Sequence, residues 1–236
     1  MCVIMGMGRK KDRHPGKKCA PVWKPGVFGA FSQRLLKEGL LLENEKLRNG
    51  RSGAPWKEWD TPLYRYSVPI RTSEGTFSFD QYLEKMIVGK DSFFIIDVGF
   101  GSGRQWGGFL KKHPKIEFWG TSLSMDKVAP SMKKRAIVCS AGAIGSVFPA
   151  NHADFVASHF GFHCEADLFA IALARILKEN GEAAITSRKK EADIFMDAAL
   201  KAGLRTVGVE SEGGNDPRLT VHLLKMMALP TGIHRN

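Results

Sequence analysis

The chain has 236 residues, 43% of them hydrophobic and 25% charged, which is enough for one globular core and excludes a disordered or fibrous polymer. No apolar run reaches the length of a membrane span. Four scattered cysteines (Cys2, Cys19, Cys139, Cys164) without a C-x-x-C pair speak against a disulfide framework, so a reduced, cytoplasmic setting is expected.

The net charge of +11 is unevenly spread. Residues 1–24 carry Arg9, Lys10, Lys11, Arg13, Lys17, Lys18 and Lys24 against Asp12 alone, a net +6. Pro15, Gly16, Pro21, Pro25 and Gly26 interrupt this stretch, so residues 1–26 are expected to be a basic, flexible arm. Such an arm suits a phosphate backbone, because clustered Lys and Arg release counterions on binding; it equally suits a solvated tail or a targeting signal. Residues 27–92 form a connector in which Trp56, Trp59, Tyr64 and Tyr66 alternate with Arg65, Arg71 and several prolines. Those aromatics would either stack on a base as a substrate lid or fold the connector onto the domain behind it. Residues 79–87 are predicted as a helix leading into the first strand.

From residue 93 strands and helices alternate. Phe93-Phe-Ile-Ile-Asp97-Val is a short apolar strand that runs into Gly99-Phe100-Gly101-Ser102-Gly103, and a helix is predicted over 104–112, stopped by Pro114. Glycine at every second position lets bare backbone approach a ligand at the start of a helix. A dinucleotide fingerprint, G-x-G-x-x-G, fails here because Arg104 stands where its last glycine belongs. A second strand is read over 116–120, with Ser124 capping a helix that runs through Met132, and a third over 136–140. A fourth strand begins at Asp154 and ends in the loop Ser158-His159-Phe-Gly-Phe-His163. Leu168, Ile171, Ala172, Ile176 and Leu177 keep helical spacing, and Asn180-Gly181 is read as that helix's left-handed stop. A fifth strand near 182–185, a helix over 191–202 and strands over 206–209 and 219–224 complete the pattern.

Asp97, Gly99, Gly101 and Gly103 after an apolar strand, followed by this order of elements, resemble the class I S-adenosylmethionine-dependent methyltransferases. Ala174-Arg-Ile-Leu177-Lys-Glu-Asn-Gly181 is similar to that family's passage from helix to fifth strand. The resemblance covers about residues 93–227 and implies an α/β domain over 93–236 behind a basic N-terminal extension. Its fold would be Rossmann-like, with a mostly parallel seven-stranded sheet whose last strand is antiparallel. It implies S-adenosyl-L-methionine as cofactor, held by Asp97, Gly99, Phe100, Gly101, Ser102, Gly103, Ser122, Leu123 and Ser158. In that family an acid at the end of the second strand usually clamps the cofactor's ribose; here the position is Ser122, and the turn after the third strand, 140–145, also lacks an acid.

The loop after the fourth strand is where the family places its acceptor. It has no Asn/Asp-Pro-Pro-Tyr run and no Pro-Cys pair, and His159 stands where two-prime-O RNA methyltransferases carry Asp. His159 and His163 are the catalytic candidates, as bases with near-neutral titration, although a packing or loop-bonding role accounts for them as well. His159, His163 and Cys164 lack a fourth ligand and a zinc spacing, so no metal is expected. The expected activity is methyl transfer, with the basic arm favouring RNA or an RNA-protein assembly as acceptor. The alternatives are a weakened methyltransferase-like protein that binds nucleic acid, or an enzyme acting on a small molecule.

Overall fold

The computed structural model describes residues 61–162, 165–214 and 217–226; the basic arm, Trp56, Trp59, His163 and Cys164 lie outside the described residues. A short hairpin, β1 (Ile70–Thr72) with β2 (Gly75–Phe77), precedes helix α1 (Phe79–Ile87), whose bounds match the sequence expectation. Gln81 Oε1 accepts the Ser78 N–H at 3.0 Å and fixes the start of that helix.

The sheet consists of β3 (Phe93–Val98), β4 (Ile116–Ser122), β5 (Ala136–Val138), β6 (Ala153–His159), β7 (Leu177–Arg188), β8 (Leu204–Glu212) and β9 (Arg218–Lys225). Their spatial order is β5-β4-β3-β6-β7-β9-β8, parallel except for β9, which runs antiparallel to both of its neighbours. The last strand is thus antiparallel, as the resemblance implied. All six residues of β3 are buried, as suits a central strand covered on both faces. Its side chains alternate between two cores. Phe94, Ile96 and Val98 join Ile144 of α3 (Ile144–Val147) and Phe169, Leu173 and Phe195 of α4 (Ala166–Ile176) and α5 (Lys189–Lys201). Phe93 and Ile95 join Phe79, Leu83 and Trp106 on the face covered by α1 and α2 (Gly107–Lys112).

Three expectations are corrected. The helix from Ser124 to Met132 is one 3-10 turn, Met125–Lys127. Ser124 Oγ does accept the Asp126 N–H at 3.2 Å, but Pro130 disfavours helical backbone at the residue before it. In α4 the buried residues are Phe169, Ala170, Ala172, Leu173 and Ile176, whereas Leu168 and Ile171 are more than half exposed. With polar side chains only at Asp167 and Arg175, that helix offers two apolar stripes and little to mark its solvent face. Asn180 does adopt the left-handed conformation (φ 60), but inside β7: α4 has already ended at Ile176, and the β6–β7 register shifts between Ala153 and Phe155.

His222 of β9 is buried beside Tyr82, ring centroids 6.0 Å apart, and its Nε2 finds no hydrogen-bond partner among the described residues. Burial lowers its pKa to about 4. The unfolded imidazole takes up a proton below about pH 6.5, which the folded one refuses until about 4, so stability is lost as pH falls through this window. The full loss is about 3 kcal/mol. Urea unfolding of wild type and His222→Leu at about pH 7 and about pH 4.5 should show the variant losing less stability on acidification; equal losses would contradict the assignment.

Candidate functional site

The strand order reverses between β3 and β6, and the Gly99–Gly103 turn leaves the sheet at the carboxyl end of that gap. All three glycines have positive φ: 75° at Gly99, 62° at Gly101 and 75° at Gly103. They serve different ends. A Cβ on Gly99 would run into the backbone of Gly161, so the loop after β6 lies directly on the turn. A Cβ on Gly103 would come within 2.5 Å of the Phe100 ring, and one on Gly120 of β4 would overlap the same ring. Around Gly101 nothing lies within 4 Å of an added Cβ. Gly101 is the turn glycine that faces open space.

Phe100 is wholly buried, its ring 6.3 Å from that of Phe118, and its carbonyl accepts the Gly103 N–H at 3.1 Å and the Gln105 Nε2–H at 2.9 Å, so the residue shapes the turn from within. Ser102 is buried, with its carbonyl accepting the Ala129 N–H at 2.9 Å. At the end of β4, Thr121 Oγ1 accepts the Gly99 N–H at 3.1 Å and the Thr121 carbonyl accepts the Phe100 N–H at 3.0 Å. The Ser122 hydroxyl donates to the Ser124 carbonyl at 3.0 Å, which commits its proton to a local turn. Leu123 is half-buried. Ser158 is buried and its hydroxyl donates to the Val98 carbonyl at 3.0 Å, tying the ends of β3 and β6 together.

Asp97 is fully buried. Its Oδ2 accepts both the Tyr66 hydroxyl and the Trp106 Nε1–H, each at 2.6 Å, while Oδ1 has no partner among the described residues. Burial raises the carboxyl to about 7, and the two donors oppose that shift. Burial also pushes the Tyr66 hydroxyl well above its ordinary range, so it stays a donor. Asp97 thus anchors the chain segment that crosses the sheet edge.

That segment, part of the connector expected over 27–92, is a strap over residues 62–70. The Tyr66 carbonyl accepts His159 Nδ1–H at 2.5 Å and the Thr186 hydroxyl at 3.3 Å, and Val68 N–H donates to Thr220 Oγ1 at 2.9 Å. Tyr66 is buried and stacks on His159, ring centroids 4.9 Å apart. Of the two earlier readings of this aromatic, packing is the one observed. Alternating aromatic, basic and proline residues were the only signal for the strap, and they do not name its partners.

A carbonyl can only accept, so the Tyr66 contact places the His159 proton on Nδ1 and leaves a lone pair on Nε2. Burial lowers the His159 pKa to about 4, so the half-buried ring is neutral at neutral pH. His159 and the glycine turn therefore flank one sheet end, joined by Ser158 and Tyr66. A cavity of about 440 Å³ lined by Lys90, Phe93, Lys112 and Ile116, among others, opens instead at the opposite end of the sheet, where β3 and β4 begin.

Neither a protein-family model nor a curated protein sequence matches the chain. Solved structures do. The (4+2)-cyclase SpnF superposes with a TM-score of 0.52 at 13% identity, over 86% of this chain and 100% of its own. A TehB-like SAM-dependent methyltransferase from Corynebacterium glutamicum gives 0.50 at 18% identity, over 83% of this chain and 98% of that one. TrmN from Thermus thermophilus gives 0.51 at 15% identity, over 64% of this chain and 49% of that one. With its strand order, its antiparallel last strand and its glycine turn at the switch point, the chain has the Rossmann-like fold of the class I S-adenosylmethionine-dependent methyltransferases.

Proposed function

We propose that this protein is an S-adenosylmethionine-dependent methyltransferase whose acceptor is RNA or an RNA-protein assembly. The observation that supports the cofactor is Gly101: positive φ, exposed, and with open space where any side chain would project. The Gly99, Phe100 and Gly103 N–H groups are taken by Thr121 and Phe100, so within the turn the Gly101 peptide group and, beyond β4, Leu123 are the groups that would hold it. S-adenosylmethionine supplies a methyl group already activated on a sulfonium, so the protein has mainly to position the acceptor and take its proton. His159 suits the second task. Its tautomer is set, its ring is held by Tyr66, and its Nε2 lone pair is present at neutral pH. A base this weak suffices because the acceptor atom grows more acidic as the methyl group arrives.

A second reading rests on a specific observation. Ser122 and the 140–145 turn carry no acid, and Asp97 is fully buried with its Oδ2 taken by Tyr66 and Trp106, so no exposed carboxylate stands at these family positions. A nucleic-acid-binding protein that has lost methyl transfer would look like this, and the (4+2)-cyclase demonstrates that the fold alone does not dictate the reaction. Titration calorimetry with S-adenosylmethionine and S-adenosylhomocysteine, followed by methyl incorporation into RNA, separates the two. The first reading expects heat with both ligands and turnover that falls at least tenfold in His159→Gln at unchanged cofactor affinity. Absence of binding at millimolar ligand would leave the second.

A further inference from the structure

Between β4 and β5 the chain folds back along the outer edge of the sheet beside the glycine turn. Its inner side is apolar: Val128, Ala129 and Met132 are buried, and Ala129 N–H donates to the Ser102 carbonyl at 2.9 Å, fastening the segment to the turn. Its outer side is cationic. Lys127, Lys133 and Lys134 are exposed and Arg135 is half-buried, against Asp126 alone. None of these four cations pairs with a carboxylate among the described residues, whereas Lys85, Lys112, Lys178, Lys189 and Lys201 each do. Unpaired charge on a rigid support keeps its full attraction for a polyanion.

We infer that residues 127–135 form a docking surface for the phosphate backbone of RNA, carrying the acceptor past the glycine turn; the inference rests on the proposed RNA acceptor. Two features favour phosphate over an acidic protein or a membrane. Protein interfaces and membrane-lying segments need large apolar anchors, and none of the exposed large hydrophobic side chains among the described residues falls within 100–143. The four cations also lie along one sheet edge rather than around a pocket, as suits a strand read through its charge.

The test uses the full chain and fluorescence anisotropy of a labelled single-stranded RNA over a salt series. Lys127, Lys133, Lys134 and Arg135 are together replaced by glutamine in one variant. In a control, Lys90→Gln and Lys115→Gln are combined at the amino ends of β3 and β4. The ridge variant should lose about 3 units of the log affinity against log salt slope, roughly 0.7 per phosphate contact, and the control much less. Equal slopes in wild type and ridge variant, or tighter binding of a DNA of the same sequence than of the RNA, would overturn the inference. Calorimetry with S-adenosylmethionine on the same proteins keeps the readings apart. A ridge variant that binds cofactor normally but loses the slope supports the surface, and a wild type that shows the slope without cofactor binding supports it while removing the methyltransferase reading.

Discussion

Valine in place of Gly101 is expected to abolish S-adenosylmethionine binding. The residue sits at φ +62, where a β-branched side chain costs on the order of 1–2 kcal/mol, and the side chain would enter the open space beside the turn. Because no atom lies within 4 Å of the added Cβ, the core has no clash to relieve, so the loss reports on the ligand and not on packing. Gly101→Asn sharpens the point. Asparagine tolerates the left-handed conformation, so its melting temperature should stay near wild type while its amide still obstructs the cofactor. Gly99→Ala should behave oppositely and unfold the protein at lower temperature, because its methyl group meets the Gly161 backbone. Calorimetry beside thermal melting tests all three. Unchanged affinity in Gly101→Val would place the cofactor elsewhere.

Tyr66→Ala is expected to cost about 3–5 kcal/mol of stability, since it empties a buried aromatic position between His159, Phe79 and Trp106. Tyr66→Phe keeps the ring and loses only the hydroxyl. It should cost about 1–3 kcal/mol, because Asp97 Oδ2 is left with Trp106 alone in a fully buried site. Denaturant unfolding of the pair separates packing from polar anchoring. A Tyr66→Phe variant as stable as wild type would mean that the strap is held by its ring and backbone, and that Asp97 does not need its second donor.

What could be read in the sequence was local. The glycine turn announces itself within seven residues, and α1 is legible because its cap, its apolar spacing and its end lie in one stretch. The mostly parallel sheet followed from the alternation of strands and helices, and its antiparallel last strand from the resemblance. The rest depends on partners far away in the chain. Nothing near Tyr66 reveals that its hydroxyl meets an acid 31 positions on, or that its carbonyl serves a histidine 93 and a threonine 120 positions on. Trp106 is silent in the sequence for the same reason: its indole N–H has a meaning only once Asp97 is buried beside it. Phe100 stood within the motif, and its burial against Gly120 could not be seen without the register that pairs Gly120 with Asp97.

The strap also sets an order of events in folding. Val68 is fastened to Thr220, 152 positions later, on a strand that must first slide between β7 and β8. Long-range closures of this kind form late, because the intervening chain has to be ordered before the contact repays its loop entropy. During synthesis the glycine turn and β3 to β6 emerge well before β9, so the sheet end stays uncovered until nearly the whole chain is available. The sheet end that carries Ser158 and His159 is thus completed from both ends of the described chain at once, and the strap cannot complete its docking before the last strand arrives.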